Sequence, residues 1–168
     1  MLVSLLVDPG LLLGGARNGS YPVLTAMSTN SRETVMLGKS VLCISALLFT
    51  GYGLVSVISP EIPAGFAGIE MPTGDAYAEI GAMYGGLQTG IGLFCLLALL
   101  RSDFYRSGLE LLALGIGLLA IARVYSALSA PAAVSLYSIG AIGYEFATAV
   151  LAAVALRYDI LQQQSKSR

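Results

Sequence analysis

Apolar residues run almost unbroken through four stretches of this chain, at about 41–59, 80–100, 111–128 and 134–156, with polar residues gathered between them. A helix needs about 20 such residues to cross the roughly 30 Å hydrocarbon layer of a bilayer. A helix facing water would also carry a polar stripe along one side, and these stretches lack one. The pattern predicts an all-α fold, an integral membrane antiparallel four-helix bundle, the simplest packing of such helices with short connections.

The borders of each helix follow from local signals. Asn30-Ser31-Arg32-Glu33 reads as a capping box, in which the cap and the glutamate three residues on satisfy each other's amides. The first helix then runs past Lys39, at the membrane surface, to Ser59, where Pro60 stops it. Pro60, Pro63, Pro72 and Gly74 break up the next connection, and its apolar middle, Ala64 to Ile69, suits the membrane interface. The second helix is expected from Asp75 or Ala76 to Arg101, and Arg101 to Arg106 form a polar turn. The third runs from Gly108 to Leu128. Ser129-Ala130-Pro131 then reads as a cap with proline in the first turn of the fourth helix.

That helix continues to Gln162, so the membrane domain spans 31–162, with a polar, frayed tail at 163–168. Residues 1–30 differ from the rest and read as a disordered or extension segment. Met1 to Leu13 is apolar but interrupted at Asp8-Pro9-Gly10, too short to span. It also lacks the basic start of a signal peptide, and Met27 offers a second candidate start.

Composition sharpens this picture. Only 11% of the 168 residues are charged, against about 25% in soluble domains, and mean hydropathy is +0.78. The net charge of −1, without a basic run, argues against a nucleic-acid partner. Histidine is absent, which removes the commonest metal ligand and general base. No metal or cofactor is expected. Cys43 and Cys95 fall near the same end of their spans and read as a buried pair of thiols rather than a bridge.

Arg32, Lys39, Arg101, Arg106, Arg157, Lys166 and Arg168 all flank one side of the spans. The connection after the first helix carries Glu61, Glu70, Asp75 and Glu79 without a base. By the positive-inside rule the chain is expected in the cell inner membrane with both termini cytoplasmic.

Small residues let helix backbones approach in lipid. The second helix has two such stripes: Gly81, Gly85 and Gly92 with Gln88 among them, and Ala82, Gly86 and Gly90. Ala113, Gly117, Ala120 and Ala127 share a face of the third, and Ser138, Ala141, Glu145, Thr148 and Ala152 a face of the fourth. These stripes serve packing within one subunit or, through the glycines of the second helix, a homo-oligomer.

Two charges break the apolar rule. Arg123 and Glu145 stand inside the third and fourth stretches, where a charge costs roughly 2.5–3.5 kcal/mol on insertion scales and must face inward and be paired. At about 1.5 Å per helical residue, Tyr84 lies about 8 Å and Gln88 about 14 Å inside Glu79, which sits at the outer edge. Arg123 lies within about 8 Å of the same surface, with Tyr125 and Ser126 beside it, and Glu145 about 15 Å down, next to Tyr144. Glu79, Tyr84, Gln88, Arg123, Tyr125, Ser126, Tyr144 and Glu145 thus form a candidate polar cluster in the outer half. Glu145 and Glu79 are the natural partners of Arg123, whose planar fork can hold two carboxylates.

The run Ala78-Glu79-Ile80-Gly81-Ala82-Met83-Tyr84-Gly85-Gly86-Leu87-Gln88-Thr89-Gly90-Ile91-Gly92, followed by Arg123-Val124-Tyr125-Ser126 and Glu145, resembles the landmarks of a bacterial family. That family comprises small four-helix membrane proteins known as domain of unknown function 4345. The resemblance covers about residues 38–160. It implies fold and location, and no assigned activity.

The residues leave three readings of this multi-pass membrane protein. One is a non-enzymatic protein whose outer-half polar cavity binds a lipophilic small molecule or a partner helix. Another is a small membrane isomerase or cyclase, with Glu145 as acid or base, Tyr84 or Tyr144 orienting the substrate, and Arg123 stabilising negative charge. In the third, Arg123 and Glu145 are an internal brace that fixes helix register. The set holds no nucleophile, metal site or nucleotide loop, and the chain lacks the inverted repeats of a complete secondary transporter.

Overall fold

The computed structural model describes residues 31–166, with side chains from Thr34 to Gln164. The capping residue Asn30 and the segment 1–30 lie outside the described residues. Helix α1 spans Ser31–Ile58 and ends where expected, one residue before the Ser59-Pro60 step. A short helix, α2, spans Glu61–Ala67. Helix α3 spans Gly74–Leu100, α4 spans Ser102–Ser129, and α5 spans Leu136–Lys166. Four of these, α1, α3, α4 and α5, are long and apolar enough to cross a membrane. The fold is an all-α antiparallel bundle.

Arg101 to Arg106 do not form a six-residue turn with α4 starting at Gly108: only Arg101 is extended, and Ser102–Phe104 make a tight helical turn that leads straight into the rest of α4. The two other connections also differ from expectation. The segment after α1 forms a helical turn instead of an irregular stretch, because Pro63 falls near its start, where a missing N–H costs nothing. Pro63 and Ala64 are buried beneath it. Gly68 closes the turn at φ 67°, a left-handed conformation suited to glycine, and the Ile69 amide donates to the Ala64 carbonyl at 2.8 Å. At the other connection Pro131 is not in a helix. Ala130 is extended, with φ −69° and ψ 141°, as the residue before a proline prefers. The chain re-enters helix only at Leu136. That helix also runs past Gln162, because the glutamines that follow are good helix formers.

Helix α3 is entered through Thr73, whose hydroxyl accepts from the Ala76 amide at 3.2 Å. Within it Gly81–Gly86 widen into a π-helical turn, and Leu111–Ile116 do the same in α4.

Helix α1 packs chiefly on α3 and next on α5, while α5 lies along α4. Glycine brings α1 and α3 together. A methyl group built on Gly85 would sit 2.6 Å from Val57 Cγ2 and 3.0 Å from the Val57 amide nitrogen. One on Gly53 would sit 2.5 Å from the Thr89 nitrogen, and one on Gly92 would strike the Thr50 backbone. Gly81 and Gly90 face open space, and Ala82 and Gly86 are exposed.

The apolar core occupies one half of the bundle. Leu42, Cys95, Ala98, Leu109, Leu112, Ile116, Ala152 and Ala155 fill it at no more than 1% exposure. It draws on the first half of α1 and α4 and the second half of α3 and α5. Cys95 belongs to it, but Cys43 is exposed, and both thiols are free. They are not a buried pair: Cys43 falls on the outward face, immediately after the buried Leu42.

Candidate functional site

Helices α3 and α4 touch near the turn that joins them and diverge from there. Away from that turn the four long helices therefore enclose a wedge rather than a filled core. The wedge is a cavity of about 210 Å³ lined by Leu48, Phe49, Tyr52, Tyr84, Gln88, Leu119, Arg123, Tyr137, Ala141, Tyr144 and Glu145.

Arg123 and Glu145 meet at its wall. Arg123 donates from Nε to both carboxylate oxygens at 3.1 and 3.0 Å, and from Nη2 to Oε1 at 2.7 Å. This is the fork-to-carboxylate geometry that makes arginine the residue of choice for a desolvated anion. The Glu145 side chain is 6% exposed and that of Arg123 24%. The pair bridges α4 and α5 while leaving part of the guanidinium at the cavity.

Tyrosines form the rest of the polar wall. Tyr52 and Tyr137 share a hydrogen bond between their hydroxyls at 3.0 Å, and Ser56 donates to the Tyr52 carbonyl at 2.8 Å. Tyr137 also stacks on Phe66 of α2, ring centroids 5.9 Å apart, so the short helix folds over the mouth of α5. Tyr144 packs against Phe49 at 6.0 Å. Its hydroxyl is buried without a hydrogen-bond partner. Tyr84 projects from the π turn of α3; such turns cost regular hydrogen bonding and recur at functional sites.

Of the residues singled out in the sequence, Tyr84, Gln88, Arg123, Tyr144 and Glu145 share this cavity. Glu79, Tyr125 and Ser126 do not. Buried Ile80 fixes the inward face of α3, and Tyr84 and Gln88 follow it at four-residue steps. Glu79 stands about 100° away from that face and is exposed. Among the described residues it forms no ion pair with Arg123. On α4 buried Ala120 and half-buried Arg123 and Ala127 face inward, which turns Tyr125 and Ser126 outward; Tyr125 is 73% exposed.

Tyr52 and Tyr137 also line the cavity, although neither is among the residues that the sequence singles out. Their signal was present: Tyr137, Ala141, Tyr144 and Glu145 fall on one face of α5 at helical spacing. Tyr52 lies six residues from the end of α1, about 9 Å deep, level with Arg123. Among the described residues no group of acidic, cysteine or histidine side chains is placed to hold a metal ion.

Residues 38–156, most of the chain, match a family model described as Domain of unknown function (DUF4345). No match was found among curated proteins or among solved structures.

Proposed function

We propose, for a chain that belongs to the DUF4345 family, a non-enzymatic role in the cell inner membrane: binding the polar head of a lipophilic small molecule in the tyrosine-lined cavity. The observation that carries this reading is the Tyr144 hydroxyl, buried without a hydrogen-bond partner on a side chain that lines the same cavity as the Arg123–Glu145 pair. A buried polar group without a partner costs about 1–3 kcal/mol and calls for an explanation. A ligand hydroxyl or carbonyl in the cavity supplies one. At about 210 Å³ the space falls below the roughly 300–1,000 Å³ of pockets that engulf a whole ligand. It suits a small polar head whose apolar tail stays in lipid between the diverging α3 and α4.

The geometry favours binding over acid/base catalysis. Both oxygens of Glu145 already accept from Arg123, so a proton transfer at Glu145 would first have to break that pair.

Gentle purification followed by mass spectrometry of retained lipophilic molecules tests the reading. The wild-type protein is expected to keep one discrete species near equimolar amount. Tyr144→Phe and Glu145→Gln are expected to lose it while circular dichroism reports an unchanged helix content. If every variant carries the same lipid mixture and only thermal stability falls, the pair is an internal brace and the binding role is wrong.

A further inference from the structure

The opposite end of the bundle holds a second and larger cavity, of about 550 Å³, where the start of α1, the end of α3, the start of α4 and the end of α5 converge. Its charged lining is Lys39, Asp103, Arg106 and Asp159. The two carboxylates each face an arginine. Asp159 accepts a hydrogen bond from Arg106 Nε, and Asp103 lies 3.8 Å from Arg101.

The donors are not matched in return. Arg106 Nη2 is buried without a hydrogen-bond partner, and so is the Tyr105 hydroxyl. Lys39 forms no ion pair among the described residues. A guanidinium nitrogen can only donate, so a buried one without an acceptor is a costly feature unless something supplies an oxygen. An acceptor in this cavity would meet the α4 donors Arg106 and Tyr105 and, from α1, the exposed ammonium of Lys39, while Asp103 and Asp159 stay turned to their arginines.

A phosphate suits those donors, with several charged oxygens directed to different sides. Leu99 and Leu100 line the cavity beside these donors, and Leu100 is 74% exposed, which offers an apolar run for an acyl chain. We propose that this cavity binds a phosphate group, carried on an anionic phospholipid or present as the free ion. The site is separate from the tyrosine cavity, and nothing in it depends on the role assigned there.

The test uses the full chain purified in a neutral glucoside detergent. Three probes are titrated: short-chain phosphatidylglycerol, the matching diacylglycerol without phosphate, and inorganic phosphate. Thermal unfolding reads stabilisation, and phosphorus NMR reads direct binding. Phosphatidylglycerol is expected to raise Tm saturably while diacylglycerol does not. Lys39→Ala and Tyr105→Phe are each expected to weaken binding about tenfold, the effect of losing one charge-assisted or buried donor.

Saturable binding of inorganic phosphate, with the same losses, would support the site and make the free ion its source. Should Tyr105→Phe fail to fold, Lys39→Ala decides alone, because Lys39 is exposed and outside the core. The proposal fails if neither phosphate-bearing probe saturates on the wild type. It also fails if diacylglycerol stabilises equally, or if the variants that fold bind as the wild type does.

Discussion

At the scale of single residues, the chain concentrates its electrostatic risk in Arg123 and Glu145. The two carry three hydrogen bonds between them, and truncating one member strands the other charge in an apolar bundle. Arg123→Met is therefore expected to lower stability by about 3 kcal/mol, the range for breaking a buried pair. The double variant Arg123→Met/Glu145→Gln should be more stable than Arg123→Met alone, since no unpaired charge remains. Thermal unfolding in detergent measures both, and simple additivity of the two losses would show that the charges do not compensate each other. The pairing of these two residues was legible in the sequence, because one buried base had few acids within reach. The exclusion of Glu79 was not. It depends on the helical face of α3 set by Ile80, and a depth estimate along the axis carries no information about rotation around it.

At the scale of elements, glycine decides how closely α1 and α3 approach. The sequence shows two small-residue stripes on the second span without showing which one is used. The structure packs Gly85 and Gly92 against α1 and leaves Gly86 and Gly90 facing outward. Gly92→Ala is expected to cost about 1–3 kcal/mol, because its methyl group would meet the Thr50 backbone and the helices must separate. Gly90→Ala meets nothing and should be neutral or stabilising by up to about 1 kcal/mol through helix propensity. Equal effects in a thermal-unfolding comparison would contradict this assignment of faces. The start of α5 shows a different limit of the sequence. Proline after Ser-Ala matches a helix entry equally well whether the helix begins there or five residues on, and only the extended Ala130 separates the cases. The π turn that carries Tyr84 is likewise invisible in the sequence, where residues 80–100 read as one regular run.

At the scale of the whole molecule, the bundle divides into a half packed with leucine and alanine, with the charged cavity at its end, and a half that opens around tyrosines. The division follows from the divergence of α3 and α4 away from their shared turn. Basic residues flank the leucine-packed half, and we propose from the positive-inside rule that this end faces the cytoplasm together with both termini. A cysteine introduced at Ala132, in the exposed α4–α5 connection, should react with a membrane-impermeant maleimide from outside the inner membrane. One at Ser102, at the opposite end, should react only after the cells are opened; the reverse pattern would invert the topology. Site-specific photocrosslinking distinguishes a tyrosine cavity that holds one particular lipophilic head, as proposed, from one filled by bulk lipid. A benzophenone amino acid replaces Leu119, which lines the cavity, or its neighbour Leu118, which is 66% exposed on the outer face. After irradiation in native membranes, mass spectrometry identifies the adducts. One dominant lipophilic species is expected at position 119, against a mixture of bulk lipids at 118; the same bulk mixture at both positions would mean that the cavity selects no head group.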